Sequence, residues 1–584
     1  MLFIVSTPNP IALIDFTAPT EGAFRERLAF VEPIEVLRAD TLDAVLSVLQ
    51  QVEVEAKRGR WSVGFVAYEA ATAFDPALLT YPPDGELAWF AVFDQARPWP
   101  RLPTGTYAPL SWRAGLDRRD FERAIDQIHR AVADGEVYQI NFTAPLSSPF
   151  SGDPLALFEA LLRAQPGGYA AYIDTGSQQV LSVSPELFFD WRDGLLLSRP
   201  MKGTAARSPD PADDASRANH LRTSDKERAE NVMIVDLVRN DLSRVAEPHS
   251  VQVPRLFHVE ALPTVWQMTS DVVALTRPHV GLPDIFRALF PCGSVTGAPK
   301  RRAMHWIAQL ETGPRGVYCG AVGVVRPGGS ATFNVPIRTV RVRSDAARCG
   351  IGSGITADAT AAGEWAEWRS KQAFLLRAES PFELLETMRL ENGYLWHVSE
   401  HLARMANAAQ RFGFAWQPQM AQQVLRHLID EHPTGRWRVR LLAGADGACR
   451  AEAFELAEMS LPARVRLAEQ PFEAAGSEFV RFKTTRRGHY DAFAPDDPDV
   501  FDTLLWNEAG ELTEFTRGNV AVRINGQWVT PPTSCGLLSG VGRAVALREG
   551  KVVERVVQRS ELAHAQGLAF INDLRGWLPV ELIP

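Results

Sequence analysis

The sequence predicts an α+β protein built from two units, a larger one over residues 1–378 and a smaller one over 382–584. Three observations predict it. A chain of 584 residues is too long for one hydrophobic core, so two or more units are expected. Strand-like runs and helical periods both occur along it. The pattern also resets at Ser380-Pro381, where a helical stretch is broken and a new strand starts at Phe382-Glu383-Leu384-Leu385 with almost no linker.

The elements follow in chain order. Residues 1–115 read as short β-rich runs joined by Pro-rich loops such as Arg97–Pro103. From Asp117, apolar Phe121, Ile125, Ile128 and Val132 recur at helical spacing until Gly135, and a strand is expected over Val137–Phe142. Asp193-Gly194 marks a hairpin turn between two strands in 180–205. Helices are expected over 225–245, 284–290 and 298–311, the last two separated by the loop Pro291–Ser294. Strands and Gly-rich turns fill 316–356, and a helix follows over about 360–378. There are no tandem repeats and no low-complexity tract.

Composition narrows the function. An apolar share of 46% and a charged share of 22% are those of an ordinary globular protein. Net charge is −9 without a basic run, which argues against a nucleic-acid partner. Cys292, Cys319, Cys349, Cys449 and Cys535 are scattered, with no CxxC, which argues for a reducing compartment and against zinc. Met1–Pro8 is apolar but lacks a basic flank and is broken by prolines, so it does not read as a signal peptide. No apolar run reaches the ~18 to 20 residues of a membrane span. A soluble cytoplasmic protein is the expectation.

Lys202, sixteen positions after Glu186, suggests covalent chemistry. An amine attacks carbon only when neutral, and a glutamate donates a proton only when its pKa is raised. Leu187, Phe188 and Phe189 offer Glu186 an apolar wall for that. Alone, Lys202 reads more readily as a surface lysine after a turn. Glu227/Glu230 and Glu364/Glu367 are each spaced i, i+3 on expected helices, so each pair shares a face. Two such faces could hold Mg²⁺, which uses few carboxylates plus an anionic substrate group; singly they also suit solvated helix faces. Lys371 could bind a substrate carboxylate or close an i, i+4 ion pair with Glu367. Gly350–Gly354 reads as a turn exposing N–H groups to an anion.

Together these segments resemble a known family. Phe290-Pro291-Cys292-Gly293-Ser294-Val295-Thr296-Gly297-Ala298-Pro299-Lys300, Asn334–Thr339, Gly352-Ser353-Gly354 and Glu364-x-x-Glu367 occur in the order found in chorismate-utilising enzymes, as do Ser184-Pro185-Glu186, Lys202-Gly203-Thr204 and Ala229–Asp241. The resemblance covers most of 60–378 and implies a large layered sandwich binding one chorismate and one Mg²⁺. Isochorismate- and salicylate-forming members carry a water-activating lysine where this chain has Gln139, and anthranilate-forming members carry alanine at Lys202. The pair therefore resembles the aminodeoxychorismate-forming members. The implied roles are Glu186 protonating the departing C4 hydroxyl while Lys202 attacks C2, with ammonia then entering at C4. Glu230 and Glu367 would hold Mg²⁺, with Glu227 and Glu364 behind them. Gly203, Thr204, Thr296 and Gly354 would line the ring carboxylate, and Tyr318, Arg338, Gly352 and Lys371 the enolpyruvyl carboxylate. Gln267 departs from the histidine many relatives have.

In the second unit Lys483, Glu514 31 residues later, and Gly536–Arg543 opening a helix supply a Schiff-base lysine, an acid for a pyridinium nitrogen and a phosphate cradle. Together they read as a pyridoxal phosphate set, although singly the basic stretch Lys483–Arg487 is more often a surface strand and Gly540 more often a turn. With His401-Leu402-Ala403-Arg404 upstream, residues 382–584 resemble the class IV, branched-chain-transaminase-like fold. The resemblance implies phosphate binding by Arg404 and the amides of Val541 and Gly542; relatives often have threonine at Gly542. The fusion implies a lyase completing a path to 4-aminobenzoate, a folate precursor. The alternatives are an amino-acid transaminase or a non-catalytic docking module. No glutaminase motif occurs, so ammonia is expected from a separate glutamine amidotransferase subunit, and relatives of the second unit imply a homodimer.

Overall fold

A computed structural model describes residues 11–583 apart from 20–23, 101–104, 208–210, 262–264 and 458–460. The stretch Met1–Pro8 and residues 101–103 of the Pro-rich run lie outside the described residues. The chain divides into two compact units, Met1–Pro381 and Phe382–Pro584.

The first unit is a four-layer sandwich. Among the described residues it holds two ten-stranded sheets. Ile14, Phe30, Ile173 and Val180 of one sheet and Phe65, Trp89, Val322 and Val324 of the other form a shared core between them. Helices cover both outer faces. Leu42–Lys57, Asp225–Ser243 and Leu282–Leu289 bury Val45, Leu49, Ile234, Leu242 and Phe286 against one sheet. Arg118–Ala133, Pro154–Ala164 and Lys300–Leu310 bury Phe121, Ile128, Phe158 and Ile307 against the other. The expected spacing of Phe121, Ile125 and Ile128 is the buried stripe of its helix, started by Asp117, whose carboxylate accepts from Asp120 N. Asp193 and Gly194, at φ 50° and 78°, turn the hairpin between Leu187–Arg192 and Leu195–Arg199.

Several expectations are corrected. Residues 1–115 are not only β-rich: Leu42–Lys57 is a 16-residue helix. Its valines favour strands, but Val45, Val48, Leu49, Val52 and Ala56 fall at i, i+3, i+4 spacing, and burial of that stripe decides. The helices Pro154–Ala164 and Pro211–Thr223 were also not anticipated. The strand expected over 137–142 runs over Gln139–Pro149. The helix expected from 298 begins at Lys300, because Gly297 and Ala298 pair with Ile140 and Gln139 and Pro299 caps the start. The stretch 360–378 is two helices, Ala361–Lys371 and Ala373–Ala378. Gly350–Gly354 is not a turn but the middle of the strand Ala346–Ile355, paired to Gln139–Pro149.

The second unit has a four-stranded sheet packed on the helices Val398–Phe412 and Pro418–Glu431, and an eight-stranded sheet. In the latter Leu512–Phe515 pairs with both Asp502–Trp506 and Gly518–Ile524, which closes the sheet on itself. No helix among the described residues is long and apolar enough to cross a membrane.

Candidate active sites

The first site grows from alternation along one strand. Cys349, Ile351, Ser353 and Ile355 point into the core, so Gly350, Gly352 and Gly354 share the other face. A β-carbon would lie 2.2 Å from Tyr318 Cδ1 at Gly350, 2.5 Å from Phe142 O at Gly352 and 2.4 Å from Lys202 Nζ at Gly354. Gln139 Nε2 would be 2.7 Å from that last β-carbon. Lys202 and Gln139 therefore meet where a side chain is missing. Gln139 is fully buried, and among the described residues neither its Nε2 nor its Oε1 has a hydrogen-bond partner.

Lys202 is carried by Met201–Ala206, which pairs with Val265–Leu275 so that Thr204 faces Gln267. Gln267 Nε2 donates to Gly203 O at 2.8 Å, and Thr204 Oγ1 donates to Gln267 Oε1 at 3.0 Å. The departure at Gln267 thus has a structural use: its amide fixes Gly203 and Thr204 beside Lys202. Glu186 is buried with Leu187, Phe188 and Phe189, and Ser294 Oγ donates to its Oε1 at 2.6 Å. Burial pushes the Glu186 carboxyl up to about 7, against the Ser294 hydroxyl and the Lys202 and Lys371 charges, which pull it down.

Both ExxE pairs converge on the same place. A β-carbon on Gly203 would lie 2.6 Å from Glu227 Oε2. The Lys202 charge acts on Glu227, Glu364 and Glu367 as well as on Glu186. Burial raises Glu227, and the nearby Glu230 and Glu367 carboxylates raise it further. Burial also raises Glu364, opposed by the Ser353 hydroxyl that donates to it. For Glu367, burial pushes upward, but the Lys371 ammonium 2.7 Å away wins and holds the carboxyl below its ordinary value. Lys371 closes that ion pair and also donates to Gly352 O at 2.9 Å. Among the described residues no three such side chains are drawn together as a finished metal cage.

The remaining residues of this site differ in readiness. Thr296 is buried with its hydroxyl given to Cys292 O and Gly293 O. Tyr318 is buried against Gly350. Arg338 sits at φ 51°; burial lowers its guanidinium to about 10, helped by repulsion from Arg377. No carboxylate pairs with Arg338 among the described residues.

The second unit holds a cavity of about 510 Å³ whose wall includes Lys483, Glu514, Arg404, Gly540 and Val541. Burial lowers the Lys483 amine to about 7, with Arg487 and Arg404 adding repulsion. Burial raises Glu514 to about 7, although Tyr490 Oη donates to its Oε1 at 2.8 Å and Leu538 N to its Oε2 at 3.1 Å. Arg404 donates through Nε and Nη2 to Glu386 at 2.8 and 2.6 Å, and through Nη1 to Ser539 O at 3.0 Å. Gly540 precedes the helix Val541–Arg548, and a β-carbon on it would lie 2.1 Å from Asn519 Oδ1. On Gly542 a β-carbon would lie 2.6 Å from the carbonyl carbon of Asn572. Backbone thus fills the room a larger residue at 542 would need.

Comparison with known proteins now decides the family: the model for chorismate binding enzymes matches residues 14–377, well over half of the chain. The chain belongs to the chorismate binding enzymes. A second model, amino-transferase class IV, matches residues 383–583, so this chorismate binding enzyme carries a class IV domain. It is 40% identical over 285 residues to aminodeoxychorismate synthase component 1 of Klebsiella aerogenes, covering 49% of the chain and 62% of that protein. The chain thus spans less than two thirds of that relative. The crystal structure of anthranilate synthase component I from Streptococcus pneumoniae matches at TM-score 0.51 and 25% identity, covering 63% of this chain and 90% of that one. The 2,3-dihydroxybenzoate-specific isochorismate synthase of Bacillus anthracis matches in fold at TM-score 0.53 and 21% identity, over 63% and 95% of the two chains.

Ser294, Tyr490 and Glu386 contact site residues and were not singled out by sequence reasoning. Ser294 lay inside the segment Phe290–Lys300, but nothing in its spacing marks a hydroxyl aimed at Glu186. Glu386 reads as one more residue of the strand Leu384–Glu391 until its pairing with Arg404 and His401 is seen.

Proposed function

We propose that this chorismate binding enzyme makes 4-aminobenzoate in two steps: amination of chorismate in the first unit, then elimination of pyruvate in the second. The observation that carries the first step is the meeting of Lys202 and Gln139 over Gly354 beside the protonatable Glu186. Glu186, held at about 7, supplies a proton to the C4 hydroxyl as it leaves. Lys202 Nζ takes the carbon vacancy by bonding to C2. Ammonia then bonds to C4 and the C2–N bond breaks, returning the amine. Gln139, an amide, has no basic group to activate water for attack. Glu230 and Glu367, with Glu227 and Glu364 behind them, would hold Mg²⁺, whose positive charge would anchor the ring carboxylate. Mutual repulsion among these carboxylates fits a cation shared between them and completed by water and substrate. Arg338, which has no carboxylate partner among the described residues, suits the enolpyruvyl carboxylate, with Tyr318, Gly352 and Lys371 around it. Gly203, Thr204, Thr296 and Gly354 would border the ring carboxylate.

In the second unit the residues fit pyridoxal phosphate. Arg404 and the amides of Val541 and Gly542 would hold the phosphate, and Glu514 the pyridine nitrogen. When bound, the cofactor would accept the electron pair left as a ring proton departs. Lys483 Nζ, brought to about 7 by burial, can take that C4 proton at neutral pH and pass it to the departing enolpyruvyl group, which leaves as pyruvate. Loss of pyruvate then aromatises the ring. Ammonia would come from a separate amidotransferase subunit, as the "component 1" in the relative's name suggests.

The test is the pure protein with chorismate, an ammonium salt, Mg²⁺ and pyridoxal phosphate, products read by mass. 4-Aminobenzoate is expected, and an aminated precursor retaining the enolpyruvyl group should accumulate when pyridoxal phosphate is omitted. Absence of any aminated product would remove the reading for the first unit; amination without pyruvate release would remove it for the second.

A further inference from the structure

The cavity of the second unit carries more positive charge than a cofactor phosphate requires. Besides Lys483 and Arg404 its wall includes Arg438, Arg440, Arg487, Arg517 and Arg575. Two of these sit beside carboxylates: Arg440 lies 3.5 Å from Glu452 and Arg517 lies 3.3 Å from Asp502. Arg487 has no carboxylate partner among the described residues but is held on two sides, donating to Thr516 O while resting over the Tyr490 ring. The other two are each held by a single contact. Arg438, on the strand Arg436–Ala443, rests over the Phe454 ring at 4.8 Å and has no ion pair among the described residues. Arg575, in the turn after Gly567–Asn572, gives Nη1 to Ala457 O at 3.3 Å and likewise pairs with no carboxylate among the described residues. Glu455 also lines the cavity but pairs with neither.

We propose that Arg438 and Arg575 form a clamp for a carboxylate of the substrate, so that the second unit selects an amine bearing an acidic arm over an apolar amine. The proposal rests on the lyase reading above and names what that site grips. Two guanidiniums facing one cavity without an anion repel each other, and a carboxylate between them relieves the repulsion while accepting forked hydrogen bonds. Burial already lowers the Arg575 guanidinium, and Arg517, Arg438 and Arg436 lower it further, as such crowding requires. A substrate whose amine would take the place of Lys483 on the cofactor and whose carboxylate sits in the clamp would be fixed at two points, which orients the ring proton toward the Lys483 amine.

The experiment uses the full chain loaded with pyridoxal phosphate and the variants Arg438→Met, Arg575→Met and the double variant. Pyruvate release from 4-amino-4-deoxychorismate should show KM raised about tenfold to a hundredfold in the double variant, from loss of charged hydrogen bonds, with kcat changed much less. Lysine at both positions should recover part of the KM, and the visible absorbance gained on adding pyridoxal phosphate should not move. An unchanged KM in the double variant, with the parent protein active, overturns the clamp. Should the parent release no pyruvate, the lyase reading fails, and calorimetric titration with isophthalate against benzamide decides the clamp alone. Isophthalate binding weakened tenfold or more in the double variant supports it; equal binding overturns it.

Discussion

Glu186 shows how one residue's surroundings set its chemistry. Its carboxyl is buried among Phe188 and Phe189 and held near 7, so the acid form persists at neutral pH. If Glu186 has the proposed role, the sign of the pH dependence follows: an acid catalyst works when protonated, so amination should fall as pH rises through about 7. Ser294 pulls that value down by donating to Oε1. Ser294→Ala should therefore move the falling limb of the pH–rate profile to higher pH. Glu186→Gln should cost about 10² to 10⁴-fold in rate, read as chorismate consumption. Lys202→Ala should lower amination and shift the remaining product toward anthranilate; an unchanged rate and product would take Lys202 out of the mechanism. That Glu186 and Lys202, and Lys483 and Glu514, would be candidates was legible in the sequence because each stands in a segment with its own pattern, and the structure brings each pair into one buried region. The hydroxyl and amide partners were not: Ser294, Gln267 and Tyr490 reach their targets across 108, 63 and 24 positions of chain, and no local spacing records such a contact.

At the scale of elements, helices with a clean apolar stripe were legible, and Arg118–Ala133 is the example. Two kinds of element were not. Leu42–Lys57 was hidden by valine, whose preference for strands competes with helical spacing. Ala346–Ile355 was hidden by glycine, which punctuates turns far more often than it lines a strand. Its alternation with Ile351, Ser353 and Ile355 was the available signal, since glycines two apart on a strand clear one face. The start of Val541–Arg548 shows the same economy, because Gly542 touches the backbone of Asn572 and Asp573. Gly542→Thr should strain that contact and destabilise the second unit by about 1–3 kcal/mol, read as a lower Tm of its transition.

At the scale of the whole molecule each unit closes cores of its own, and each holds a lysine in a separate site. Lys483→Ala should abolish the visible absorbance gained on adding pyridoxal phosphate yet leave chorismate amination intact. Mixing this variant with Lys202→Ala should restore 4-aminobenzoate after a lag, because each protein supplies the half the other lacks. A mixture with no product would mean that the two activities do not share a free intermediate. Ligand binding gives a second separation: pyridoxal phosphate at about 100 times its Kd should add about 2.7 kcal/mol to the second unit's stability while leaving the first unit's transition in place. The division at Pro381 and Phe382 also bears on inheritance. On the function proposed above, a nonsense mutation falling just after it would spare the residues of the upstream unit while removing the class IV domain, so that extracts carrying the truncated protein should pile up the half-made metabolite.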